Sequence, residues 1–86
     1  MKRRMTRVIE VKRAIDNFLN NLSEVMSRGE LNSEGVKALA RIIKMLNKMG
    51  MRHDAMMLTK RLRRRGDMEE ILSTLSQIEE KISDRD

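Results

Sequence analysis

Residues 35–50, GVKALARIIKMLNKMG, decide how this chain reads. Val36, Leu39, Ala40, Ile42, Ile43, Met45, Leu46 and Met49 recur at helical spacing and cover more than half of a helix circumference. The remaining strip holds Lys37, Arg41, Lys44 and Lys48, at i, i+4, i+7 and i+11. The stretch is therefore a central helix, apolar on most sides and uniformly basic on one. Like charges at i, i+4 cost a helix roughly 0.2–0.5 kcal/mol per pair, and no acidic residue lies between 35 and 50 to relieve them. Either the acidic C-terminal segment covers this stripe or something outside the chain does. At 1.5 Å rise per residue the four charges line an edge of roughly 16 Å, which suits a phosphate backbone.

Working outward, Gly29, Gly35, Gly50 and Gly66 punctuate the chain, and three of them stand where helices should end. The first helix is expected from about Thr6 to Ser27, with Val8, Val11, Ile15, Phe18, Leu22 and Val25 in an unbroken heptad pattern, and Gly29 is expected to close it. Asn32 or Ser33 is placed to cap the second helix, which continues to about Met49. The third begins between Met51 and Asp54, with Asp54 a plausible cap, and turns Ala55, Leu58 and Leu62 inward before the run Lys60, Arg61, Arg63, Arg64, Arg65 and a stop at Gly66. Asp67 with Glu70 forms a capping-box-like start to a fourth helix whose seam is Met68, Ile71, Leu75, Ile78 and Ile82. Residues 1–5 and 84–86 are expected to fray. The fold class is all-α: one domain over residues 1–86, a small antiparallel bundle of about four helices with a coiled-coil-like first helix.

Composition supports that class. Proline is absent, Phe18 is the only aromatic residue, and charged residues make up 37% of the 86, a mixture that favours helix over strand. Such a length gives a core that is only just sufficient. The absence of cysteine removes disulfides and thiolate metal sites from consideration and makes a reducing cytoplasm the default. The basic N-terminus is not followed by an apolar run, because Glu10, Lys12, Arg13 and Asp16 interrupt it. No stretch approaches the ~20 apolar residues of a membrane span. Most of the nine methionines occupy core-compatible positions, where a thioether fills gaps that aromatics would otherwise fill.

Charge is segregated along the chain. Through Arg13 there are six basic residues and one acidic, from Met51 to Gly66 again six and one, and from Asp67 onward seven acidic and two basic. The net charge of +6 is the remainder of these opposed patches.

Catalysis has little to build on. His53 is the single histidine, so neither a nucleophile–base pair nor a histidine metal site has a second member. Glu69/Glu70 and Glu79/Glu80 are sequence neighbours, which do not face each other on a helix. No enzyme, metal or cofactor is expected. A membrane-surface role lacks interfacial Trp and Phe. Arg65-Gly66-Asp67 spells an adhesive tripeptide but coincides with a helix junction, and Lys60–Arg65 loosely fits a nuclear-localisation pattern that a helical basic surface would also produce. The second and third helices could form a helix-turn-helix. Leu46 is large for that motif's close packing, and the third helix offers Arg52, His53 and Lys60 but no Asn or Gln for base edges.

These features point to a nucleic-acid-binding protein that contacts phosphates with little base readout, through Lys37, Arg41, Lys44, Lys48, Arg52, Lys60, Arg61, Arg63 and Arg64 with the N-terminal arm. One aromatic residue, in a heptad core, gives no stacking platform for single strands, so duplex DNA or structured RNA is the expected ligand. The alternative is a protein–protein adaptor that docks a partner helix. Met56 and Met57 project from the side of the third helix opposite its inward face, and the first helix is longer than the others. A two-fold homodimer using Met56, Met57, Val8, Val11 and Ile15 is therefore expected.

Overall fold

The computed structural model describes residues 2–64 and 67–85, with side chains from 8 to 64 and from 67 to 83. Five helices and one two-stranded ribbon are found among them: α1 (Lys2–Asn20), α2 (Leu22–Val25), β1 (Met26–Ser27), β2 (Glu30–Leu31), α3 (Ser33–Lys48), α4 (Arg52–Leu62) and α5 (Met68–Arg85). Helical backbone extends out to Lys2 in α1 and to Arg85 in α5. Met1, Asp86 and the expected helix stop at Gly66 lie outside the described residues.

The first heptad row is divided between two helices. Asn21 adopts φ −124°, ψ 43°, and its Nδ2 donates to the Asn17 carbonyl at 2.8 Å. An asparagine side chain that competes for the backbone in this way ends α1. The chain resumes as the single turn α2, whose Val25 completes the row inside the core. Gly29 does not close a helix. Met26 pairs with Leu31 and Ser27 with Glu30 in antiparallel register, and the two residues between them, Arg28 (φ 55°) and Gly29 (φ 80°), both lie in the left-handed region. Two consecutive positive φ values give the turn whose twist suits a tight hairpin.

The reversal is fastened by Asn32. As N-cap of α3 its Oδ1 accepts from the Gly35 N–H at 2.8 Å, its Nδ2 donates to the Glu24 carbonyl at 2.9 Å, and its backbone N–H donates to the Val25 carbonyl at 3.0 Å. One residue thus satisfies an orphan donor at the start of α3 and two carbonyls at the end of α2. Gly35 is buried in the first turn of α3, where a Cβ would run into the Val25 carbonyl oxygen and lie 2.6 Å from Leu31 Cδ1. Gly35 is therefore a close-approach residue.

α3 ends as the sequence suggests. Gly50 (φ 83°) follows the cap at Met49, its N–H donates to Asn47 O at 3.1 Å, and the Met51 N–H donates to Leu46 O at 2.9 Å. These two bonds are a Schellman motif, and the accompanying apolar contact comes from buried Met51. Met51 is also the N-cap of α4 without a side-chain cap bond. Asp54 takes a different role, accepting from Lys81 Nζ at 2.9 Å. At the start of α5 the Glu70 carboxylate turns to Arg61, while the Asp67 carbonyl accepts the Ile71 N–H at 3.1 Å.

α1 packs against α3 and α5, and α4 also packs against α3 and α5, so the four long helices enclose the core in sequence around it. That core holds Val11, Ile15 and Phe18 of α1, Leu39, Ile42 and Leu46 of α3, Ala55 and Leu58 of α4, and the Met68, Ile71, Leu75, Ile78, Ile82 seam of α5. Ala40, expected within the apolar arc of α3, is exposed. The one buried polar side chain among the described residues, Thr74, donates its hydroxyl to the Glu70 carbonyl at 2.7 Å.

The Gly35 contact yields a prediction. Glycine to alanine inside an unobstructed helix stabilises by roughly 0.5–1 kcal/mol. At position 35 the obstruction is backbone, so Gly35→Ala is expected to destabilise by about 1–3 kcal/mol. A urea titration measures it, and a gain in stability would show that α3 does not rest on the Val25 carbonyl.

Candidate nucleic-acid interface

Lys37, Arg41, Lys44 and Lys48 are all exposed along α3, within roughly 60° of one another about the helix axis at 100° per residue. Asn32 and Gly35 set the direction in which this row leaves the ribbon. Among the described residues no ion pair engages Lys37, Arg41 or Lys44.

Carboxylates near the stripe come from α1, through Glu10, and from α3 itself, through Glu34. A cleft of about 280 Å³ between α1 and α3 is lined by Glu10 and Val11 on one side and by Arg41, Lys44, Met45 and Lys48 on the other. It adjoins a larger cleft of about 650 Å³, floored by Ala14, Phe18, Val25, Ala38 and Met45 and rimmed by charges of both signs, including Glu10, Arg13, Glu34 and Arg41. Glu10 lines both clefts, a placement that the residues alone did not single out. Its signal was available, because it precedes Val11 by one position and so flanks the buried seam.

The acidic helix α5 is occupied elsewhere. Glu70 Oε2 lies 3.5 Å from Arg61 Nη2, and Lys81 binds Asp54, so both of these ion pairs join α5 to α4. Toward α1, Glu79 lies beside Asp16, and its Oε2 is buried without a hydrogen-bond partner among the described residues. Hydrogen bonding of its protonated form to Asp16 raises the Glu79 pKa from its ordinary value. Burial and the Asp16 charge add to the rise, and Lys12 opposes it.

Arg61 consequently leaves the expected basic set. It is half-buried and faces Glu70, and its Nε is buried without a hydrogen-bond partner among the described residues. Arg52, Lys60, Arg63 and Arg64 are exposed. Arg52 and Lys60, with His53 and Met56, also exposed, fall within an arc of roughly 100° on α4 at helical spacing, and Arg63 and Arg64 follow past its last residue, Leu62. Asp54 and Arg61 lie beyond that arc, turned to α5. Arg65 lies outside the described residues, and the side chains of Lys2, Arg3, Arg4 and Arg7 in the N-terminal arm lie outside those described.

The residues expected at a dimer interface separate. Val11 and Ile15 are 0% exposed in the chain's own core, because α3 and α5 both pack on the α1 seam, so they are unavailable to a second copy. Val8 and Met57 are half-buried. Met56 is 58% exposed and Ile9 48%. No group of three or more His, Asp or Glu side chains that could hold a metal occurs among the described residues, and no described helix is long and apolar enough to cross a membrane. The chain matches no protein family, and no curated protein or solved structure is significantly similar to it.

The Asp16–Glu79 pair has a predictable pH signature. A carboxyl group with a raised folded pKa binds its proton more tightly when folded. Its contribution favours the fold below the ordinary carboxylate range, and it is lost as pH rises through the Glu79 pKa. Glu79→Gln removes one charge of the pair and is expected to raise Tm at pH 7 relative to the parent, with a difference that shrinks toward pH 4. Thermal melts across that range read the effect, and parallel Tm profiles would exclude a shared proton.

Proposed function

We propose that this protein binds duplex nucleic acid through its phosphates, with the α3 stripe as the principal contact and the outer arc of α4 extending it. The observation that carries this reading is the placement of the acidic helix. α5 directs Glu70 to Arg61, Lys81 to Asp54 and Glu79 to Asp16, while Lys37, Arg41 and Lys44 stand exposed on α3 without an ion-pair partner among the described residues. Residues 33–64 hold nine basic and two acidic side chains. A predominantly basic surface on a protein of net charge +6 attracts polyanions and speeds their encounter. Lys and Arg on an exposed helix release condensed counterions when they meet phosphates, which supplies affinity without sequence preference.

A second reading, an adaptor for a partner-protein helix, is favoured by the 650 Å³ cleft between α1 and α3, whose apolar floor and mixed-sign rim are features such a helix can use. The two readings separate on charge. Lys37→Gln, Arg41→Gln and Lys44→Gln together are expected to weaken duplex binding roughly tenfold or more and to make its salt dependence shallower by about 2 to 3 in log–log slope. Helix content and Tm should be retained, since all three side chains point to solvent. Fluorescence anisotropy with a labelled duplex measures affinity, and circular dichroism measures the fold. Unchanged binding by a folded triple variant would move the interface off α3.

A further inference from the structure

We infer that α4 enters the major groove of B-form DNA with its outer arc, while α3 holds the adjoining backbone; this rests on the reading proposed above and narrows it to one polymer and one groove. Three observations carry it. The exposed arc of α4 holds Arg52, His53, Met56 and Lys60 and no carboxylate, with Asp54 turned to Lys81, and the exposed Arg63 and Arg64 follow just past the helix end. Met56 stands in the middle of that arc, four residues from Arg52 and from Lys60, and is 58% exposed. A surface that met phosphates alone has no use for an apolar side chain at its centre. The floor of the major groove has one, since thymine presents its methyl group there. Finally, α4 adjoins the basic helix α3 on one side and the acidic helix α5 on the other, so a duplex backbone is attracted on the α3 side and repelled on the α5 side.

Groove dimensions make the inference discriminating. The B-DNA major groove is about 12 Å wide and admits a helix, and the minor groove, at about 6 Å, does not. Duplex RNA has a deep, narrow major groove that a helix cannot enter. Phosphate contact alone treats DNA and RNA duplexes alike, whereas insertion of α4 selects DNA.

The test uses the whole chain with DNA and RNA duplexes of identical sequence at one salt concentration, together with methylation of guanine N7, an atom exposed in the major groove. DNA is expected to bind about tenfold more tightly than RNA or better, with N7 positions protected in the complex. Met56→Glu is expected to weaken DNA binding and abolish N7 protection. Asn20→Glu, the same charge change on an exposed position of α1, should do neither. Circular dichroism establishes that both variants are folded. Equal affinity for the two polymers, unprotected N7, or equal effects of the two substitutions would overturn insertion of α4 and leave phosphate binding standing. Absence of binding to either polymer would overturn both.

Discussion

The side chain of Asn32 accepts from Gly35 and donates to the Glu24 carbonyl, while its backbone N–H reaches the Val25 carbonyl. These three bonds join the end of one helical segment to the start of the next across a six-residue ribbon. Gly35 brings the first turn of α3 against Val25 and Leu31, which a side chain at that position would prevent. The direction of α3 follows from this contact. So does which of its sides meets α1 and α4, and which side, with Lys37, Arg41 and Lys44, faces water.

Once α3 is set, the remaining helices distribute charge. α5 must bury Ile71, Leu75, Ile78 and Ile82, and the seam that does so carries its flanking carboxylates toward α4 and α1. Exposed ion pairs such as Arg61–Glu70 contribute little to stability, typically ~0–1 kcal/mol. Their effect here is on orientation. They hold Arg61 and Asp54 on the inner side of α4, so its outer arc is left with basic residues, His53 and Met56. The Asp16–Glu79 contact is a cost accepted where α1 meets α5, because the apolar seams on both sides fix the two carboxyls near each other.

Much of this was legible in the residues. The boundaries of α3, the glycine stop at Gly50, the α5 seam and the exposure of the α3 stripe follow from periodicity and capping chemistry, which act within one or two helical turns. What stayed hidden depends on contacts between segments. The heptad row from Val8 to Val25 does continue through the core, but periodicity is blind to the break at Asn21, since α2 restores the same inward face. Serine, arginine and glycine at 27–29 read equally well as a helix end or a hairpin turn. Val11 and Ile15 looked available to a second copy until α3 and α5 were both seen to pack on them. Arg61 could not be separated from its basic neighbours without knowing where Glu70 lies, and Glu10 was read only as an interruption of the N-terminal segment.

The central claim is that a cationic face, left open by the placement of the acidic helix, meets phosphates. Counterion release makes that claim quantitative. If about four to six phosphates are contacted, log K for a duplex should fall linearly with log salt with a slope of roughly −4 to −5. A salt titration of duplex binding by the intact chain measures this slope directly. A slope in that range is the predicted result, and a flat response, or no binding at low salt, would contradict the account.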